Sequence, residues 1–289
     1  MVLLRLGRGQ PGKGALLAAA RRRSATIARM SIILGIDVGG SGIKGAPVDL
    51  SAGDFAQSRV RIPTPQKSTP KNVAAVIAEI IEEFKDKIGD NPVGITIPAP
   101  VVHGRIPFIA NLDQKWAGLE ADKYLEDKLG RPITLVNDAD GAGLAEVHFG
   151  AAKGHPGLVI MTTLGTGIGT AIIYRGVLIP NAELGHIEMF GKDAEKQAAS
   201  SVKDKEGLSH KKWATERLQP YYSRLEMLLS PDLFVVGGGV SSDWDDFGPL
   251  LDLNTEIIPA KLRNRAGIIG AAIAAQDAAE NPDLLAQPH

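Results

Sequence analysis

The chain contains no cysteine among its 289 residues. That removes disulfides, thiolate nucleophiles and thiolate metal sites together, so its chemistry must use oxygen and nitrogen. It also lacks any apolar run approaching the roughly 18 residues that a membrane span requires; the longest candidates lie near Ile32 and Ile268. A basic surplus is missing too. Seven of its 32 Lys and Arg residues fall within residues 1–29, which hold no acid, leaving 25 basic against 33 acidic residues, or −8, in the remainder. A body that acidic does not attract polyanions in general, so no nucleic-acid partner is expected and an anionic substrate must be held locally. The composition thus points to a soluble cytoplasmic protein with no membrane partner.

What is present suits a folded enzyme. Apolar residues make up 44% and charged residues 22%, enough for a buried core, and the length makes two lobes the natural expectation. Met30 immediately precedes the first convincing strand, so residues 1–30 are expected to be a disordered or mis-assigned N-terminal extension. Residues 31–138 are expected to form a small α/β lobe on which a C-terminal helix, 265–280, packs back, and residues 139–264 a large one.

Along the chain, strands are read at 31–37, 43–50 and 55–62, a helix over 70–88 from the period of Val73, Val76, Ile77, Ile80, Ile81 and Phe84, and then alternating strand and helix to about residue 139. From Gly157 the pattern restarts: a strand at 158–163, the turn Leu-Gly-Thr-Gly-Ile-Gly and a strand at 170–174. It mirrors the Asp37-Val-Gly-Gly-Ser-Gly hairpin, and two such hairpins imply two facing lobes. A long helix around 213–229, a strand at 233–236 and a final helix from Arg265 complete the second half.

Gly40-Ser-Gly42-Ile-Lys-Gly45 matches Gly-x-Gly-x-x-Gly, yet Ile43–Leu50 contains Pro47 and leaves no room for the helix that a dinucleotide fingerprint requires. A glycine hairpin still offers N–H groups to phosphate oxygens, and Asp37 at its mouth could hold Mg2+ directly or through water; a plain tight hairpin is the competing reading. Asn137-Asp138 closes a strand and opens a helix, where open α/β folds place ligands; a helix cap would explain one of the two. An Asp there could take the proton of a hydroxyl nucleophile. Glu183-Leu-Gly-His186 lies beside helix-breaking Pro180-Asn181 and reads as a loop with two groups for a polyhydroxylated ligand, with a solvated surface pair as the alternative.

Taken in order, Asp37-Val-Gly-Gly-Ser-Gly-Ile-Lys, Asn137-Asp138, Leu164-Gly-Thr-Gly-Ile-Gly, Glu183-Leu-Gly-His186 and Val236-Gly-Gly-Gly resemble the ROK family of sugar kinases and repressors over roughly residues 31–275. The resemblance implies an α/β, actin-like ATPase (ribonuclease H-like) fold with the sugar in a central cleft. It implies Asp138 as general base on the sugar 6-hydroxyl, with Asn137, Asp138, Glu183, His186 and, as nearest match to a third glutamate, Glu195 binding the sugar. Asp37, Gly39, Gly40, Ser41, Gly42, Lys44, Thr163, Gly165, Thr166 and Gly167 would hold the donor phosphates, with Mg2+ near Asp37, and Gly237, Gly238 and Gly239 would border an adenine.

One departure matters. Most members carry a Cys-x-Cys-Gly-x-x-Gly-Cys zinc site after Glu-x-Gly-His, and here Gly191-Lys-Asp-Ala-Glu-Lys-Gln stands in its place. No zinc is therefore expected, and backbone hydrogen bonds with apolar contacts from Ile187, Met189 and Phe190 are expected to order residues 187–205. The cysteine-free chain is similar to the subset that phosphorylates glucose from polyphosphate, as is the stretch 102–116. Glucose, polyphosphate and ATP are the implied partners and a homodimer the implied state. Six lysines (192, 196, 203, 205, 211 and 212) are expected to line a polyphosphate path, or else, with the acids between them, a solvated face. An ATP-only glucokinase or mannokinase and a non-catalytic sugar-binding regulator are the alternatives; too little chain precedes Met30 for a repressor's helix-turn-helix domain.

Overall fold

A computed structural model of the chain describes residues 32–281; the expectation for residues 1–30 lies outside the described residues. The first sheet joins β1 (Ile32–Val38), β2 (Ile43–Asp49), β3 (Asp54–Phe55), β4 (Val60–Ile62), β5 (Val93–Ile97) and β6 (Ile133–Asn137) in the order β3-β2-β1-β5-β6, with β4 also on β2. The β1–β2 pair is an antiparallel hairpin, and β5 and β6 add in parallel. Helices α1 (Pro70–Ile88), α2 (Ala121–Leu129) and α3 (Asp138–Phe149) connect or follow these strands.

The second sheet, β13-β12-β7-β8-β9, repeats the plan: β7 (Leu158–Leu164) and β8 (Ile168–Tyr174) form the hairpin, β9 (Val177–Ile179) extends it, and β12 (Leu233–Gly237) and β13 (Glu256–Pro259) are parallel. Between β9 and β12 come a short hairpin, β10 (Glu188–Met189) with β11 (Lys192–Asp193), and helices α4 (Glu195–Ala198), α5 (Ser200–Glu206), α6 (His210–Trp213) and α7 (Gln219–Leu229). The stretch Ala214–Leu218 joining α6 to α7 is π-wound. Pro220, on the next turn, has no N–H for the Glu216 carbonyl four residues back, and the ladder widens there. Helices α8 (Trp244–Phe247) and α9 (Ala266–Glu280) are the last two described.

Three apolar clusters stack these pieces into layers. Val73, Ile77, Ile80 and Phe84 of α1 and Leu125 of α2 cover one face of the first sheet. Trp213, Tyr221, Tyr222 and Phe247 cover the far face of the second. Between the sheets lie α3 and α9, whose Ala145, Val147, Ile268 and Ile273 share one cluster with Ile33, Val48, Val159 and Ile173. The two helices cross at Gly141 and Gly270, where a Cβ on Gly270 would overlap the Gly141 carbonyl; only glycine allows that approach. Two hairpin-plus-parallel sheets with helices between and outside them make the actin-like ATPase arrangement.

The buried Glu146 of α3 fixes the central layer to the chain ahead of α9, accepting N–H bonds from Ala151 (2.6 Å), Lys261 (3.1 Å) and Leu262 (2.7 Å). The described helices include none long and apolar enough to cross a membrane.

Candidate active site

The parallel strands β1, β5 and β6 end at one edge of the first sheet. β1 delivers Asp37, whose Oδ2 meets Lys44 Nζ at 3.1 Å and whose Oδ1 accepts from Thr96 Oγ1 at 3.1 Å. The turn beyond it is closed by Gly39 N–H to Gly42 O (3.1 Å), and the Arg61 guanidinium lies over Gly42 and donates to Ser41 O (3.2 Å). The first turn of α9 also abuts this aspartate: a Cβ on Gly267 would lie 3.2 Å from the Asp37 carboxyl. An uncapped helix start there adds backbone N–H groups beside the hairpin.

At the end of β6, the cap reading of Asn137-Asp138 holds and is compatible with the ligand reading. Asn137 caps α3, its Oδ1 accepting from Ala139 N–H (2.8 Å) and Asp140 N–H (3.2 Å), which leaves its NH2 outside the cap. Asp138 is half-buried, one oxygen taking the Ala139 N–H at 2.8 Å. Surrounding protein raises its pKa first, and the nearby carboxylates of Asp37 and Glu183 raise it further, to about 7. An aspartate balanced between its two charge states near neutral pH suits a proton acceptor.

The loop after β9 brings Glu183 and His186 to the same place. Thr170 of β8 grips it on both sides of Glu183, donating to Ala182 O and accepting the Leu184 N–H at 3.0 Å. The Glu183 pKa is raised, chiefly by burial; His186 opposes the rise and Glu195 adds to it. His186 Nε2 is 3.8 Å from Glu183 and its Nδ1 is 3.9 Å from Glu195 and 3.6 Å from Asp193. Among the described residues, His186, Asp193 and Glu195 form the group of three ligand-bearing side chains close enough to hold a cation, their ligand atoms within 4.8 Å of one another.

The second hairpin, Thr163–Gly167, is closed by Gly165 N–H to Gly167 O (3.0 Å) and seated on α5, where Ser201 N–H and Ser200 Oγ reach Gly165 O at 3.1 and 3.0 Å and Ser201 Oγ reaches Thr166 O at 2.6 Å. Glu195 touches this hairpin as well, accepting the Ile168 N–H at 3.3 Å. Gly237 pairs with Thr163 across β12 and β7, and Gly238, at φ 85°, presses on Leu164, so the triple glycine borders the hairpin. The expected sugar residues thus share one electrostatic cluster with Asp37, and the expected nucleotide residues sit on the hairpin beside it.

Two expectations change. Phe190 does not help order residues 187–205: at the tip of the β10–β11 hairpin, with φ 52°, it is 80% exposed, while Ile187 and Met189 do join the third cluster. Three of the six lysines face their own acids, Lys196 with Asp193 (2.8 Å), Lys203 with Asp204 (3.1 Å) and Lys212 with Glu216 (3.9 Å), which weakens the basic path. Sequence reasoning missed Thr170, the start of α9, Ser200-Ser201 and the buried Asp140. Only Asp140 had a local signal, three residues after the cap on the site helix.

The sequence profile described as ROK family matches residues 33–202. A polyphosphate glucokinase of Mycobacterium tuberculosis is 48% identical over 241 residues, spanning 83% of this chain and 89% of that protein. A crystal structure of an inorganic polyphosphate/ATP-glucomannokinase from Arthrobacter sp. strain KM superposes with TM-score 0.80 at 46% identity, over 85% of this chain and 98% of that one. A ROK family glucokinase from Streptomyces griseus, solved with glucose and AMPPNP, shares the fold with TM-score 0.73 at 23% identity, over 85% and 99% of the two chains.

Proposed function

The chain belongs to the ROK family, and from that premise we propose that it transfers a phosphoryl group from inorganic polyphosphate, and also from ATP, to the 6-hydroxyl of glucose. The donor assignment is supported by the 48% identical polyphosphate glucokinase and the 46% identical polyphosphate/ATP-glucomannokinase. The observation that carries the chemistry is Asp138, half-buried at the strand–helix junction, raised to about 7 and flanked by Asp37 and Glu183.

In this reading Asn137, Glu183, His186 and Glu195 hold the sugar hydroxyls and bring O6 to Asp138. As the O6–phosphorus bond forms, the hydroxyl proton passes to Asp138 and the bridging P–O bond breaks, releasing polyphosphate one unit shorter, or ADP. Lys44 and those N–H groups of the two hairpin turns that are not spent closing them, as Gly39 and Gly165 are, take up the charge on the transferring group. The hard carboxylate oxygens of Asp37, at the mouth of the first hairpin and near Asp138, fit a Mg2+ held directly or through water. When bound, such an ion neutralises donor phosphate charge.

Gly239, beside the second hairpin, has open space where a side chain would stand, which suits a nucleoside and thus ATP as second donor. No zinc is needed in this scheme, since the sugar loop is held by Thr170 and the third cluster. The working form is taken to be a cytoplasmic homodimer of two-lobed protomers, residues 31–138 with helix 265–280 against 139–264, which sedimentation would test. For the reaction, glucose and polyphosphate are incubated with enzyme freed of nucleotide, and the product is read by NMR. Glucose 6-phosphate is expected; phosphate on another hydroxyl, or none, would count against the assignment.

A further inference from the structure

Asp140 is 1% exposed, yet among the described residues only one of its oxygens has a hydrogen-bond partner: Oδ2 accepts the Asn181 N–H at 2.7 Å, and Oδ1 has none. Burying a carboxyl for a single bond opposes folding, because the lost hydration is not repaid. An apolar side chain would cost less here, so the residue is explained by what its one bond aims.

That bond holds a junction. Asn181 has left-handed backbone, φ 61°, and its side chain spans to the loop after β5, Oδ1 accepting the Val101 N–H at 2.7 Å and Nδ2 donating to Val101 O at 2.9 Å. A side chain thus imitates one rung of a β-ladder between a loop of the first sheet and a loop of the second. Through Asp140 the same residue is fixed to α3, which begins at Asp138. Two positions on lies Glu183. Thr170 secures the Glu183 segment only to its own sheet; Asn181 is what registers it against α3 and the opposite loop.

We propose that Asn181, aimed by Asp140, is a positioning residue that places Glu183 for the sugar and thereby sets sugar affinity more than the rate of transfer. The inference rests on reading residues 183–186 as the sugar loop. Asn181→Gly keeps the left-handed backbone and the N–H to Asp140 while deleting the rung to Val101. It is expected to raise the KM for glucose roughly tenfold, since small misplacements of a binding group are costly, with kcat within about threefold and the KM for the donor unchanged. Asp140→Leu should shift the glucose KM likewise, and Asp140→Asn, which keeps an acceptor for the Asn181 N–H, should fall between Asp140→Leu and the wild type. Glu183→Gln is the control. If it raises the glucose KM while Asn181→Gly leaves it within twofold, or lowers kcat alone, the positioning role is overturned and the sugar loop stands. If Glu183→Gln leaves the glucose KM unchanged, the sugar-loop reading fails and takes this inference with it. A loss of thermal stability in Asn181→Gly without a change in glucose KM would mark a structural role only, which also overturns it.

Discussion

Lys44 and Asp37 face each other across the β1–β2 hairpin with 3.1 Å between ammonium and carboxylate, their side chains still 27% and 21% exposed. The pair is therefore open to solvent, and an incoming phosphate competes with Asp37 for the ammonium. Lys44→Met should lower kcat/KM for polyphosphate and for ATP alike, by about 10²-fold, the scale of losing one preorganised charge at a transferring group. Lys44→Arg should restore part. Steady-state kinetics with each donor checks this; a change confined to the glucose KM would place Lys44 on the sugar.

Asp138→Asn should cut kcat by about 10²–10⁴-fold, the usual weight of a general base. In the wild type, kcat/KM for glucose should climb as pH rises through about 7, because Asp138 is raised there by burial and by Asp37 and Glu183 and accepts a proton only when ionised. Asp140, also raised to about 7 by burial with Glu183 and Asp138 contributing, couples to it, so the midpoint belongs to the pair. Removing one like charge with Glu183→Gln should move the midpoint down. A profile flat from pH 5 to 9 would contradict the assignment.

The same perturbation costs stability in a definite pH window. A carboxyl raised from 3.8 to about 7 on folding leaves stability intact below the unfolded value and removes it as pH rises through the folded one. Asp138→Asn should then melt close to the wild type near pH 4 and above it by several degrees at pH 8, on the order of 1–3 kcal/mol. Scanning calorimetry at the two pH values decides; an equal difference at both would show that the charge is not the cause.

Phe190, exposed at a hairpin tip, should tolerate replacement: Phe190→Ser is expected to change stability by less than about 0.5 kcal/mol, as for other surface sites. A drop of several degrees in Tm would mean that the ring is covered in solution.

Much of this architecture could be read from the residues because local signals agreed. Helix α1 matched at both ends, since Thr69 caps it, Pro70 opens it and Gly89 closes it at φ 53°. The two glycine hairpins and the Asn137-Asp138 junction were visible because turn chemistry and strand ends are local. Other features are set by tertiary partners. β13 is four residues long and becomes a strand only by pairing with β12. Residues 191–212, polar in sequence, fold as a hairpin strand and three short helices because Ala194, Ala198 and Ala199 bury against Trp213 and Leu218. Asn181 looked like a mere helix breaker, since its partner Val101 is 80 residues away.

Donor use is tested by the initial rate of glucose 6-phosphate formation with polyphosphate as sole donor, beside ATP as sole donor, at saturating glucose, with Asp138→Asn as the blank. Turnover with polyphosphate at least comparable to that with ATP, and lost in the variant with both donors, is the predicted result. Turnover with ATP alone would leave an ATP-dependent sugar kinase and rule out polyphosphate as donor.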